Sequence, residues 1–326
     1  MLSATCYRLL ATDYPLIKII LRSERLESIC NRCQWPMNEL AGRHIEAVGC
    51  GTSPVYKGIR NGSPVEKMPY IQLDITKKDQ VNEAMEKVHP DAVIHCAAWT
   101  AVDAAEEPEN IAKVRAVNVD GTRFIAEVCK KLGAKMLYIS TDYVFNGKGT
   151  TPWDPDCKEY DPLNVYGQSK LDGEFTVSSL LDKYFIVRIA WVFGLNGNNF
   201  VKTMLKVGKT HKELRVVNDQ IGAPTYTFDL ACLLVDMIQT DNYGYYHATN
   251  EGGYISWNEF AKEIFRQASY STKVIPVTTE EYGMSKARRP FNSRLETKKL
   301  QDSGFNRLPS WKSAISRYIH ELHRNT

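Results

Sequence analysis

Ala92-Val93-Ile94-His95-Cys96 is a continuous apolar run without alternation, the pattern of a strand covered on both faces. Such a strand needs helices above and below it, and the flanking sequence supplies them. Upstream, residues 77–89 read as a charged amphipathic helix, preceded by a short strand, Tyr70-Ile71-Gln72-Leu73, that ends at Asp74. Downstream, a helical pattern fills 110–131, with Gly133 as its stop signal. Lys135-Met136-Leu137-Tyr138-Ile139-Ser140 is the next strand, and a loop rich in Pro, Gly and Asp covers 146–162. A helix then runs through Tyr166 and Lys170 to about Leu181, and Tyr184-Phe185-Ile186-Val187-Arg188-Ile189 is a further strand. Strict alternation of strand and helix predicts an α/β fold with a doubly wound, Rossmann-like parallel sheet. The final third mixes short strands, turns and helices, which predicts a smaller mixed α/β substrate lobe. The expected division is a dinucleotide-binding domain over 1–187, to which part of 225–250 returns, and a substrate-binding lobe over 188–326.

Bulk properties narrow the function. With 326 residues the chain is long enough for a full core, and 24% charged residues is ordinary for a globular protein. A net charge of +3, evenly spread, argues against a nucleic-acid surface. No stretch approaches the roughly 18 apolar residues of a membrane helix. Asp13 and Lys18 interrupt the short apolar pieces near the start, so no signal peptide is expected. The eight cysteines are scattered. Cys30-Asn31-Arg32-Cys33 has CxxC spacing but lacks a second ligand pair, so reduced thiols, a cytoplasmic location and no metal site are expected.

Tyr166-Gly167-Gln168-Ser169-Lys170 places a phenol and an ammonium at i and i+4 on one helix face. A free tyrosine ionises near pH 10, too high for efficient proton transfer at neutral pH, and a nearby cation would lower that value. Chance produces this spacing often, and the plain alternative is a solvated helix face. Its context gives it weight. Ser140-Thr141-Asp142-Tyr143-Val144-Phe145 begins at the carboxyl end of a strand, the edge of a parallel sheet where ligands bind. Thr141 there can hold a substrate oxygen against the Tyr166 hydroxyl. The strand before it runs into His95-Cys96-Ala97-Ala98-Trp99-Thr100, whose small residues let a cofactor lie close to the backbone. Asn118 and Asp74 are further cofactor candidates, with an ordinary exposed helix residue and a helix N-cap as their plain alternatives.

From about residue 37 onward the chain resembles the dTDP-4-dehydrorhamnose reductase family of extended short-chain dehydrogenase/reductases. The matching segments are 96–103, 140–145, Pro162-Leu163-Asn164-Val165-Tyr166-Gly167-Gln168-Ser169-Lys170 and Arg188-Ile189-Ala190-Trp191-Val192-Phe193-Gly194. Asn198-Asn199-Phe200-Val201, Asp219-Gln220-Ile221-Gly222-Ala223-Pro224-Thr225 and Arg288-Arg289-Pro290-Phe291-Asn292-Ser293 follow in order. The resemblance implies Tyr166 as catalytic acid, Lys170 as its ribose-binding partner and Thr141 as third member. It places Asp74, Ala97, Ala98, Thr100 and Asn118 with Tyr166 and Lys170 at an NADPH or NADH cofactor. Val102, Asp103, Tyr143, Asn199 and Asn292 are expected at the substrate, with Trp191 packing on the sugar and Arg289 near the nucleotide diphosphate. The implied substrate is a nucleotide-diphosphate deoxysugar reduced at C4, and a homodimer is an allowed assembly. Two rivals stay open: a non-catalytic relative like the methionine adenosyltransferase beta subunit, and an epimerase or dehydratase of the same superfamily.

The start departs from the pattern. A dinucleotide fold opens with a strand and a glycine-rich turn, yet the first glycine here is Gly42. Ile17-Lys18-Ile19-Ile20-Leu21 could serve as a first strand, but Arg22-Ser23-Glu24-Arg25 is no diphosphate loop, while Met37-Asn38-Glu39-Leu40 looks like the helix that should follow one. Read one nucleotide later, codons for Ile29–Pro36 permit Phe-Val-Thr-Gly-Ala-Asn-Gly-Gln, so a frame-shifted start is the expected cause. Glu46-Ala47-Val48-Gly49-Cys50 ends without the acidic residue of an NAD enzyme, and Thr52, Ser53 and Lys57 lean towards NADPH.

Overall fold

The computed structural model describes residues 70–283 and 285–324, and before them four short strands at Lys18–Leu21, Glu46–Gly49, Ile59–Arg60 and Ser63–Pro64. Seven strands form the main sheet: β1 (Lys18–Leu21), β2 (Glu46–Gly49), β3 (Tyr70–Gln72), β4 (Ala92–His95), β5 (Lys135–Thr141), β6 (Tyr184–Ile189) and β7 (Gly244–His247). Their order is β7-β6-β5-β4-β1-β2-β3. The pairs β2–β3, β4–β5, β5–β6 and β6–β7 are parallel. Met136 and Ile186 face one layer of the core, with Val81, Met85, Ile125 and Cys129. Leu137, Phe185 and Val187 face the other, with Leu230, Leu234 and Phe305. Two covered faces are why these strands read as unbroken apolar runs.

Four helices pack on this sheet: α1 (Lys78–Val88), α2 (Thr122–Leu132), α3 (Val165–Leu180) and α4 (Thr227–Ile238). Gly133 caps α2 with φ of 68°, as its place after the last apolar residue predicted. The helical pattern over 110–131 resolves into Pro108–Arg115, a wide π turn over Ala116–Gly121, and α2. A Cβ on Gly121 would lie 2.8 Å from Ile75 Cδ1, so this close approach to the strand-end loop needs glycine.

One strand differs from expectation. The stretch anticipated as a parallel first strand does fill the slot between β4 and β2, but β1 runs antiparallel to both, with Lys18 opposite His95. Either direction satisfies the ladders of its neighbours. The parallel direction also requires a tight turn at the sheet's carboxyl edge, and Arg22-Ser23-Glu24-Arg25 offers no glycine for it. The readings made for Cys30–Cys33, Met37–Leu40, Thr52, Ser53 and Lys57 lie outside the described residues.

The lobe gathers Phe193, Phe260, Ile264, Trp311 and Tyr318 around a two-stranded parallel pair, Glu213–Val217 with Lys273–Val277. The chain leaves it to supply β7 and α4 to the main sheet. It does so again at Leu300, Phe305 and Leu308, a return that no motif marked.

Candidate active site

The site lies at the carboxyl edge of β5. Thr141 ends the strand and caps a short 3₁₀ turn over Asp142–Val144, where its hydroxyl accepts from Tyr143 N–H at 3.3 Å. Helix α3 begins directly against this turn. Its N-cap, Asn164, accepts from Gly167 N–H at 2.7 Å and donates through Nδ2 to Arg288 O at 2.8 Å. A Cβ on Gly167 would run into Tyr143 O and lie 3.2 Å from Tyr143 C, so glycine lets the helix approach closely enough to set Tyr166 beside Thr141.

Tyr166 is half-buried, its hydroxyl faces Thr141, and its ring meets Tyr143 edge-on at 5.8 Å. Burial pushes its pKa up, the Thr141 hydroxyl acts against that, and Asp142 and Tyr143 add to the rise. The cation one turn on acts elsewhere. Lys170 Nζ donates to Ile139 O at 2.7 Å and lies 3.9 Å from the Tyr138 ring centre, facing Cys96 and Glu174. The lowering of Tyr166 expected from Lys170 is therefore not what this geometry produces. Burial instead brings the ammonium itself down to about 7. Cys96, beside it, is pushed up to about 12 by burial.

The remaining expected residues divide sharply. Ala97 and Ala98 are buried at the end of β4, and Thr100 is exposed. Asp103, Tyr143 and Arg289 come together. Arg289 Nη2 donates to Asp103 Oδ2 at 2.6 Å and Nη1 to Tyr143 OH at 3.3 Å, while Ala287 N–H donates to Asp103 Oδ1 at 3.0 Å. Val102, half-buried, opens the short helix beside them. Trp191 has a strained φ of 50° and stacks on Trp257 at 3.8 Å. Gly222 lies beneath it, where a Cβ would meet the indole at 3.0 Å.

Four residues hold parts of the scaffold. Asn199 caps the helix Phe200–Val207, accepting from Lys202 N–H and donating to Gly194 O and Tyr318 OH. Asn292, buried, donates to Lys148 O and Thr151 O and thereby docks the tail on the β5–α3 loop. Asn118, buried rather than exposed, accepts from Trp99 N–H at 2.7 Å and donates to Ser169 Oγ at 2.8 Å, which ties the end of β4 to α3. Asp74 caps no helix. Its Oδ1 accepts from the backbone and hydroxyl of Thr76 in the turn after β3.

Two features were given no role, though Arg188 and Asp142 lie within matched segments. Arg188 and Glu174 form a fully buried ion pair that also holds Pro155 O and Tyr160 OH, bracing the loop over the site. Asp142 is buried with its Oδ1 accepting from Thr141 at 3.0 Å, and burial raises it to about 6. A carboxylate set directly between the strand-ending Thr141 and Tyr143 was the available signal. Among the described residues no group of three His, Cys, Asp or Glu could hold a metal.

A nicotinamide cofactor fits one end of this site. Lys170, desolvated and held by a single backbone carbonyl, has donors left for ribose hydroxyls. The diphosphate end falls outside the described residues.

A doubly wound sheet carrying a Thr–Tyr–Lys constellation at its carboxyl edge defines a short-chain dehydrogenase/reductase. Residues 37–324 match the family described as the RmlD substrate binding domain, and the chain belongs to that family. It is 40% identical over 249 residues to the spore coat polysaccharide biosynthesis protein SpsK of Bacillus subtilis, covering 76% of this chain and 86% of that one. It is 38% identical to dTDP-4-dehydrorhamnose reductase of Escherichia coli K12, over 78% of this chain and 87% of that one. Among solved structures, the dTDP-4-dehydrorhamnose reductase of Bacillus anthracis in complex with NADP superposes with a TM-score of 0.73 at 43% identity, over 77% of this chain and 90% of that one.

Proposed function

We propose that this chain is an oxidoreductase that reduces the 4-keto group of dTDP-4-dehydro-6-deoxy-L-mannose, giving dTDP-L-rhamnose. The observation that carries the reading is Thr141 at the carboxyl end of β5 facing the Tyr166 hydroxyl, with Lys170 one turn along α3. The named relatives and the NADP-bound structure support both the reaction and a preference for NADPH over NADH.

Tyr166 donates its proton to the keto oxygen as that oxygen gains charge. A bound nicotinamide supplies the hydride to C4. Thr141 holds the phenol oxygen in place, and Lys170 holds ribose hydroxyls. Arg289, poised on Asp103 and Tyr143, is the group matched to a diphosphate, since its planar fork pairs with two phosphate oxygens at once. Trp191 presents an indole face to the sugar, fixed by its stack on Trp257. The retained Thr141, Tyr166 and Lys170 separate this reading from a non-catalytic binding role.

The test is incubation of the full chain with the keto-sugar nucleotide and either reduced nicotinamide, following cofactor oxidation and the sugar product. Turnover with NADPH is the expected result. Cofactor binding without turnover would instead assign the chain to the non-catalytic class.

A further inference from the structure

The reaction as derived leaves one carboxyl of the site without a task. Asp142 is 2% exposed, its Oδ1 accepts from Thr141, and its Oδ2 has no hydrogen-bond partner. Tyr166 faces it from α3 and Tyr143 from its own turn, while the Ser293 hydroxyl faces it from the tail and, with Thr141, favours the ionised form against the effect of burial. Arg289 stands behind Tyr143, and Lys170 is held on Ile139 O, so among the described residues no cation pairs with Asp142. A buried carboxylate with an orphaned oxygen bears a desolvation cost that the neutral acid largely avoids. Burial accordingly raises its pKa to about 6, within reach of working pH.

The Thr141 hydroxyl has one hydrogen and three neighbours, so the state of Asp142 dictates the direction of the whole chain. Tyr143 N–H always donates to it. If Asp142 is ionised, it takes the Thr141 hydrogen, and Thr141 can only accept from Tyr166. The phenol hydrogen then points at Thr141 and away from the substrate. If Asp142 carries a proton, it donates to Thr141, and the Thr141 hydrogen turns to the Tyr166 oxygen. The phenol hydrogen is thereby released towards the keto oxygen, and the phenolate left behind keeps a donor. We infer that Asp142 is a positioning residue, and that its protonated form aims the Tyr166 proton at the substrate. No bond to Asp142 is made or broken in the cycle.

This inference rests on the reductase reading, and the experiment separates the two. In the full chain, kcat and KM are measured from about pH 5 to 8 for wild type, Asp142→Asn and Thr141→Val. Wild-type kcat should fall several-fold as pH rises through about 6, with KM steady. The limb should vanish in Asp142→Asn, whose amide donates to Thr141 at every pH, and in Thr141→Val, which has no hydroxyl to turn. A limb that persists in Asp142→Asn, or is absent from wild type, overturns the inference. If wild type shows no turnover at all, the reductase reading has failed, and carbon-13 NMR of the Asp142 carboxyl decides alone. A midpoint near 6 that moves in Thr141→Val supports the coupling. An ordinary aspartate midpoint, or one unmoved by Thr141→Val, overturns it. Melting curves of both variants confirm that they fold.

Discussion

Tyr166 and Lys170 sit one helical turn apart, yet the protein treats them as opposites: burial disfavours the charge of each, raising the phenol and lowering the amine. Tyr166→Phe keeps the ring and its edge contact with Tyr143 while removing the proton, so kcat should fall on the order of 10²–10⁴ with substrate binding kept. Unchanged turnover would remove Tyr166 as the acid. For Lys170 the linkage has a definite sign. Its folded pKa, about 7, lies below its unfolded value, so the stability associated with this group is fully present above the unfolded value and declines as pH falls towards about 7. Lys170→Met should therefore raise the melting temperature at pH 7 while weakening cofactor binding. A variant that melts lower at pH 7 would show that the contacts with Ile139 O and the Tyr138 ring outweigh the desolvation cost.

At the scale of elements, what matters is how closely α3 meets the Asp142–Val144 turn. Gly167 makes that contact against Tyr143 O, and Gly167→Ala must push the helix away. The expected result is at least a tenfold loss in kcat/KM with secondary structure retained, since small misplacements of a reacting group are costly. Wild-type activity in Gly167→Ala would mean that the turn yields at no cost to the site. The same scale explains what the sequence could and could not tell. β4, β5 and β6 were legible as unbroken apolar runs because both faces of the sheet are covered, and α1 by the amphipathic pattern of a helix lying on it. Asn118, Asn199 and Asn292 have structural duties that their motifs did not announce: the amides satisfy backbone and hydroxyl groups that no local pattern reveals. Asn199→Ala separates the two roles. A lost N-cap should cost about 1 kcal/mol of stability with KM for the sugar nucleotide unchanged. A large rise in KM without loss of stability would return Asn199 to the substrate.

Across the whole molecule the catalytic half and the cofactor half stand on unequal footing. Thr141, Tyr166, Lys170 and Arg289 are placed by parallel strands and by a tail docked at Asn292, whereas the slot that should lead to the diphosphate holds an antiparallel strand, with Lys18 rather than a glycine turn at the carboxyl edge. A strand in that direction cannot hand the chain on to a helix whose N-terminus faces the phosphates, and that geometry is how such folds hold a dinucleotide. We therefore expect a chain whose residues 1–36 are replaced by Phe-Val-Thr-Gly-Ala-Asn-Gly-Gln-Leu-Gly, joined to Met37, to bind NADPH more tightly and turn over faster. Ligand at a hundred times its dissociation constant stabilises a folded state by about 2.7 kcal/mol, so the replaced chain should also gain more in melting temperature on adding NADPH. Titration of both chains by calorimetry checks this. Equal affinity would show that residues 1–36 build a phosphate site of a kind that glycine spacing does not announce, and would locate the missing half of the cofactor site in the native start.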